Sequence, residues 1–231
     1  MKQKIFTKSP VSGIILLKIV CIIYKVKGDG KMIITIGRQF CSGGSEIGRK
    51  LSERLGIPYY DKNLYEYAAK QRGFSTKYVK EIEETPTGSF LYSLAMFPYV
   101  DFGADNMIPS GIAIAADQTN YILEKAKEDP CIFVGRCADS ILMDMENHLN
   151  VYIYAPAEAR LRNCTDILKM DEKVARKMIR EVDRSRELYH RRYCPEYVDA
   201  STNKDIMLDS SRFGVEGTVK ILAGLVKEMF S

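Results

Sequence analysis

Glycines, serines and arginines between residues 37 and 49 carry the spacing most suggestive of chemistry. The stretch Thr35-Ile36-Gly37-Arg38-Gln39-Phe40-Cys41-Ser42-Gly43-Gly44-Ser45 follows a β-branched run, Met32 to Ile36, and leads into a helical pattern. A glycine-rich turn between a buried strand and a helix N-terminus aims several backbone N–H groups and the positive end of the helix dipole at one point, which suits a polyphosphate. The motif that usually does this, G-x-x-x-x-G-K-[ST], has a lysine that reaches the terminal phosphates. Here Ser42-Gly43-Gly44-Ser45 stands where Ser-Gly-Lys-Ser would be expected, and Gly44 takes the lysine position. An alternative frame, Gly43 to Lys50 as G-x-x-x-x-G-R-K, runs through Ile47, Leu51 and Leu55, the buried stripe of a helix already under way by Glu46. The first frame is therefore the better one. In it Ser45 opens the helix, where its hydroxyl either caps the helix or ligates Mg²⁺. A plain strand-to-helix turn with Ser45 as its cap is the simpler alternative.

A second concentration of cations lies downstream. Gly135-Arg136 follows the apolar run Cys131-Ile132-Phe133-Val134, and Arg160, Arg162, Arg176, Arg180, Arg184, Arg186, Arg191 and Arg192 lie along two helical stretches. The second stretch opens at Asp171, a plausible N-cap, and continues through Val174, Met178 and Val182 to Tyr189. Arg176, Arg180 and Arg184 repeat every four residues and so share a face. A solvated face pairing with Glu172, Glu181 and Asp183 accounts for some of them. Arginine is also the side chain best suited to bidentate phosphate contact. A mobile arginine hairpin closing over a phosphoryl group would exclude water and stabilise developing charge.

The elements that must position these residues alternate. A helix from about Ser45 to Leu55 ends at Gly56-Ile57-Pro58, the short strand Tyr59-Tyr60 leads to Asp61, and Lys62 to Gln71 and Ser75 to Glu84 read as helices. Thr85 to Gly111 mixes prolines and glycines with aromatics and keeps neither periodicity, which reads as part of an inserted substrate lobe or as a long surface loop. Helical pattern resumes from Ile112 to Lys127, strands follow at Cys131–Val134 and Asn150–Tyr154, and His148 reads as part of a surface connection. Short apolar strands alternating with helices predict an α/β fold with a mostly parallel sheet covered on both faces. Ligands in such sheets lie beyond the carboxyl ends of the strands. Gly37, Asp61, Gly135-Arg136 and Ala155-Pro156 all follow strands directly, so they converge on one edge.

Composition excludes several classes. The 34 basic and 30 acidic side chains are nearly balanced and form no long block of one sign, so the chain is not a generic nucleic-acid binder. Its six cysteines contain no C-x-x-C pair, match no zinc spacing and read as reduced thiols of a cytoplasmic protein, and with only two histidines the composition argues against a histidine-based metal site or triad. Val11 to Tyr24 is apolar but interrupted by Lys18, shorter than the ~20 residues of a membrane span and without a cleavable end. Residues 27–31 can be encoded by purine-rich codons resembling a ribosome-binding sequence ahead of the Met32 codon. Residues 1–31 therefore read either as a translated leader or as an amphipathic segment that anchors at a membrane surface.

Taken in order, MIITIGRQFCSGGSEIGRKL, LGIPYYDKNL, IFVGRCADSIL, YIYAPAEARLR, EVDRSRELYHRRY and KDIMLDSSRFGVEG resemble the cytidylate kinase-like family, relatives of the P-loop nucleoside monophosphate kinases. The resemblance implies a three-layer α/β/α core over residues 32–231, with a five-stranded, mostly parallel sheet. It also implies a helical acceptor insert (about 61–118) and an arginine-rich helical lid (about 158–196). It implies transfer of the γ-phosphoryl group of Mg·ATP to a nucleoside monophosphate, with CMP or dCMP favoured. Gly37, Ser42, Gly43, Gly44, Ser45 and Arg49 would bind ATP, with Mg²⁺ at Ser45. Asp61, Arg136, Asp183 and Arg186 would hold the acceptor, and Arg38, Arg136, Arg160, Arg162 and Arg184 would supply catalytic charge. Three departures stand out: the absent lysine, Cys137 in place of an acidic residue after Gly-Arg, and no acceptor-lobe arginine at the expected place after Asp61. The chain therefore reads as a kinase, as a nucleotide-binding module without turnover, or as a kinase of another small acceptor. Oligomeric state is left open.

Overall fold

The computed structural model describes residues 31–61, 67, 110–194 and 196–230. Strands β1 (Ile33–Arg38), β2 (Tyr59–Tyr60), β3 (Cys131–Val134), β4 (His148–Tyr154) and β5 (Ile206–Asp209) form one sheet in the order β2-β3-β1-β4-β5, and every neighbouring pair is parallel. Parallel strands require crossovers that return the chain to the same end, and the helices supply them. These are α1 (Gly44–Leu55), α2 (Ser110–Glu128), α3 (Ala138–Ile141), α4 (Ala157–Arg162), α5 (Glu172–Tyr193) and α6 (Ser210–Phe230), the last interrupted at Gly214. A π-helical turn, Asn163–Ile167, follows α4.

The continuous apolar runs are explained by burial on both faces. Ile34, Ile36, Ile132, Val134, Val151 and Ile153 face Ile47 and Leu51 of α1 and Val219, Leu222 and Val226 of α6. The alternate positions Ile33, Cys131 and Phe133 face Ile122, Leu123 and Ala126 of α2 and Ala138 and Leu142 around α3. Each fully buried aliphatic side chain of this kind stabilises the fold by about 1.5–3 kcal/mol. The result is the three-layer sandwich that the alternating pattern predicts, with a sheet that is wholly parallel. A smaller cluster, Leu161, Cys164, Ala175 and Ile179 with Phe40, Cys41 and Met170, packs the α4–α5 hairpin onto the turn after β1. Asp171 caps α5 as expected, accepting from the Val174 N–H at 3.1 Å.

Three expectations are corrected. His148 is not in a surface connection: it opens β4, and its Nε2 lies 2.6 Å from Thr35 Oγ1 on the adjacent strand. Burial pushes its pKa down to about 4, so the ring is neutral at neutral pH. The cysteines are not all reduced thiols, because Cys41 and Cys164 form a disulfide with Cα atoms 6.1 Å apart. Phe40 brings the first turn against the hairpin, and the pairing spans 123 residues of sequence, beyond any local spacing rule. Ser45 is not the cap: Gly43 takes that place in a left-handed conformation and α1 begins at Gly44, leaving Ser45 inside the first turn. Apart from Tyr67, the helices expected within residues 62–84 and the aromatic stretch up to residue 109 lie outside the described residues, as does the apolar run 11–24. Among the described residues no helix is long and apolar enough to cross a membrane.

Candidate functional site

The turn after β1 is built mainly by side chains that hold its backbone. Ser42 Oγ donates to the Gln39 and Ile153 carbonyl oxygens, at 2.9 and 3.1 Å, and Ser210 Oγ donates to the Ser42 carbonyl at 2.6 Å. Gln39 Oε1 accepts from the Ala155 N–H at 3.1 Å, and Asn163 Nδ2 donates to the Cys41 carbonyl at 2.8 Å. Asp183 reaches across from α5 and accepts from the Phe40 N–H at 2.7 Å, while its other oxygen pairs with Arg160. With the turn fixed in this way, the first N–H groups of α1, which have no intrahelical acceptor, are aimed beyond the sheet edge.

Gly44 is a place where a side chain does not fit. A Cβ there would lie 2.5 Å from Arg38 Cβ and 3.3 Å from Ile153 Cβ. The space that a phosphate-loop lysine would leave from is thus taken by the stem of Arg38. The Arg38 guanidinium lies against Gly135, where any Cβ would collide with it, and Nη2 reaches Asp61 Oδ1 at 3.4 Å. Its Nε is buried with no hydrogen-bond partner among the described residues. Tyr59 Oη sits 3.0 Å from both Asp61 Oδ2 and the Ser45 carbonyl oxygen, so Asp61 is held between a phenol and a guanidinium.

Two further arginines close in on Arg38. Arg186 Nη1 donates to the Arg38 carbonyl at 2.9 Å. Burial, then the charge of Arg38, lowers the Arg186 pKa to about 9. Arg136 follows Gly135 in a left-handed backbone conformation (φ 59°) and lies 5.6 Å from the centre of the Tyr189 ring. Burial lowers its pKa to about 10, with Arg38 again opposing its charge. Three guanidinium groups that raise one another's energy, offset by Asp61 and Asp183, form a site that an anion would relieve.

Comparison with known proteins gives the family. The family model described as the cytidylate kinase-like family matches residues 33–212. This chain belongs to the cytidylate kinase-like family. It is a nucleoside monophosphate kinase-like phosphotransferase. The chain is also similar to a cytidylate kinase of Methanopyrus kandleri, 24% identical over 205 residues that cover 84% of this chain and 93% of the relative. A solved structure of an uncharacterized protein from Eubacterium ventriosum is 26% identical, with a TM-score of 0.63, covering 85% of this chain and 99% of that one. The structure of TT1252 from Thermus thermophilus shares the fold at 17% identity and a TM-score of 0.50, covering 86% of this chain and 97% of that one.

Of the residues expected to act in this cytidylate kinase-like protein, Gly37, Arg38, Ser42, Gly43, Gly44, Ser45, Asp61, Arg136 and Arg186 surround one strand-end corner. Arg160 and Asp183 lie beside it, engaged with each other and with the Phe40 backbone. Arg49 is turned away on the exposed side of α1 and pairs with Glu53, while Arg162 and Arg184 are exposed on the hairpin. Arg176 pairs with Glu172 and Glu158, as a solvated face would. Sequence reading passed over Gln39, Tyr59 and Tyr189. Tyr59 carried a usable signal, since a tyrosine two residues before Asp61 on a strand shares its face. Tyr189 acts through Arg136 and Gln118, to which its hydroxyl donates at 3.3 Å, and no local pattern announces that.

Proposed function

We propose that this protein transfers the γ-phosphoryl group of Mg·ATP to a pyrimidine nucleoside monophosphate, CMP or dCMP, in the cytoplasm, with Arg38 in the role of the missing phosphate-loop lysine. The observation that carries the reading is the stem of Arg38 lying over Gly44 while its guanidinium rests against Gly135 beside Asp61. The Methanopyrus relative, a cytidylate kinase, supports the acceptor class.

The α1 N-terminus and the turn from Gly37 to Ser45 hold the ATP phosphates. The residues present fit Mg²⁺, because the Ser45 hydroxyl is a hard oxygen donor in the first turn that the cap does not use. Held by Ser45 together with ATP, Mg²⁺ would supply charge neutralisation. Arg38 and Arg136 then face the charge that spreads over the transferring group, and Arg136 with Arg186 holds the acceptor phosphate. Asp61 positions Arg38 and the acceptor. Arg160 and Asp183 act as positioning residues through Phe40. Catalysis of this kind is alignment and charge stabilisation, with no covalent enzyme intermediate.

A coupled ADP-release assay with ATP and CMP, dCMP, UMP, AMP or GMP tests the reading. Turnover with CMP or dCMP above the other acceptors is expected. Nucleotide binding with no acceptor-dependent turnover at high enzyme concentration would make the protein a binding module instead.

A further inference from the structure

Cys137, His190 and Cys194 meet where the turn after β3 touches the C-terminal end of α5. One ligand atom from each, two Sγ and a ring nitrogen, lies within 4.8 Å of the other two. Both cysteines are free thiols and only 3% exposed. His190 and Cys194 are four residues apart, with the Cys194 N–H donating to the His190 carbonyl at 2.7 Å, so they share one face at the helix end. Cys137 is brought to them by the left-handed turn that also carries Arg136.

The surroundings are those of a supported metal ligand. His190 Nδ1 lies 3.1 Å from the Arg186 carbonyl oxygen and Nε2 lies 3.3 Å from Asp139 Oδ1. Whichever nitrogen binds an ion, the other retains a carbonyl or carboxylate to receive its N–H, the arrangement that orients a metal-bound imidazole. Asp139 is in turn ion-paired with Lys204, whose side chain is 3% exposed. Two thiolates neutralise a divalent ion and Asp139 cancels Lys204, so the filled site is electrically balanced with His190 neutral. Tetrahedral zinc, with bonds of about 2.3 Å to sulfur and 2.0 Å to nitrogen, asks its ligand atoms to sit roughly 3.3–3.8 Å apart. The three need only close in slightly.

We propose that Cys137, His190 and Cys194 bind a thiophilic divalent ion, Zn²⁺ above others, which ties the Arg136 turn to the end of the lid helix. Sulfur and imidazole donors select against Mg²⁺, so this site does not compete for the ion that accompanies ATP. The three residues leave a fourth coordination position for solvent. The ion sits one residue from Arg136 and one helical turn from Arg186, and so fixes the spacing of two cations of the phosphate corner.

The test uses the full chain, reduced and stripped of metal with a chelator, and titrated with Co²⁺. A single equivalent should give the thiolate-to-cobalt charge-transfer band and the intense visible bands of tetrahedral cobalt, and Zn²⁺ should displace it. C137S and C194S should lose the charge-transfer intensity, whereas the C41S/C164S double variant should keep it. D139N, which retains all three ligands, should weaken binding by roughly 10–100-fold. Should a serine variant not fold, alkylation of the reduced, unmutated chain followed by mass spectrometry gives the same answer, because Zn²⁺ should slow alkylation of Cys137 and Cys194 relative to the metal-free chain and leave the rate at Cys41 unchanged. A band that survives C137S, one abolished by C41S/C164S, no tetrahedral band at all, or a Cys137–Cys194 disulfide in metal-free protein as isolated would each overturn the proposal. None of these readouts depends on kinase activity.

Discussion

Arginine occurs in two settings around this site, and the contrast separates cations that shape the site from cations that solvate the surface. Arg38, Arg136 and Arg186 come from a strand end, a strand-end turn and the inner face of α5, and they converge in a buried corner where each opposes the charge of another. Arg162, Arg176 and Arg184 belong to the same hairpin region but are exposed, and Arg176 is satisfied by Glu172 and Glu158. An exposed ion pair contributes little, about 0–1 kcal/mol. Half-buried cations that oppose one another have far more to gain from an anion. Density of arginine in the sequence therefore does not mark the corner, whereas position at or just after the end of a parallel strand places Arg38 and Arg136 there.

The largest effect should come from the inner set. Replacing Arg38 or Arg136 by methionine should lower kcat with ATP and CMP by roughly 10³-fold, about 4 kcal/mol of transition-state stabilisation, with thermal unfolding little changed. An inner variant that retains activity within tenfold would break the comparison. Burial should also govern how ionisable groups respond to pH. His148 has its pKa depressed by burial, so the unfolded chain binds a proton that the folded one refuses. Its contribution is present above about pH 6.5 and is lost as pH falls toward 4, on the order of 3 kcal/mol. Urea unfolding of H148N against the unaltered protein between these pH values measures it as a difference in slope, and parallel slopes would contradict it.

Crowding at Gly44 is the next test of the inner corner. G44A should cost about 1–3 kcal/mol in unfolding free energy, since its methyl group must displace Arg38 or Ile153. A neutral G44A would show that Arg38 is not held where it lies. The smallest effects belong to the outer set: R162M and R184M should each change kcat/KM by less than about tenfold, or ~1.4 kcal/mol, in the same assay. A thousandfold loss at either would mean that the exposed hairpin arginines close onto the phosphates and do the work assigned to the inner ones.

Much of the fold was readable because burial writes itself into composition. Cys131–Val134 is apolar at every position because both of its faces are covered, and Gly56 ends α1 in the left-handed conformation that a C-terminal glycine supplies. The convergence of Asp61, Arg38 and Arg136 followed from parallel strands having one carboxyl end. What could not be read was long-range. His148 lacks a local signal for burial because its partner, Thr35, is on another strand, and Cys41 finds Cys164 only through the packing of Phe40 on the hairpin. Which of Arg38 and Arg49 lies beside Gly44 depends on which side of a turn each side chain leaves. Arg49 is on the outer face of α1 with Glu53, and only the folded chain shows that Arg38 fills the space over Gly44. The His190 and Cys194 pair did carry a signal in its four-residue spacing. Its third member lies 53 residues away from His190, across a turn whose backbone conformation cannot be inferred from composition.

The central claim is that Arg38 occupies the place, and performs the task, of the lysine that Gly44 replaces. A double-mutant cycle tests it most directly: kcat for phosphoryl transfer from ATP to CMP in the unaltered protein, R38A, G44K and R38A/G44K. Because a side chain at position 44 collides with the Arg38 stem, G44K alone should lose stability and activity. With that stem removed the lysine gains room, so R38A/G44K should be at least about tenfold more active than R38A, a coupling of ~1.4 kcal/mol or more. An active, stable G44K, or a double variant no better than R38A, would contradict the account.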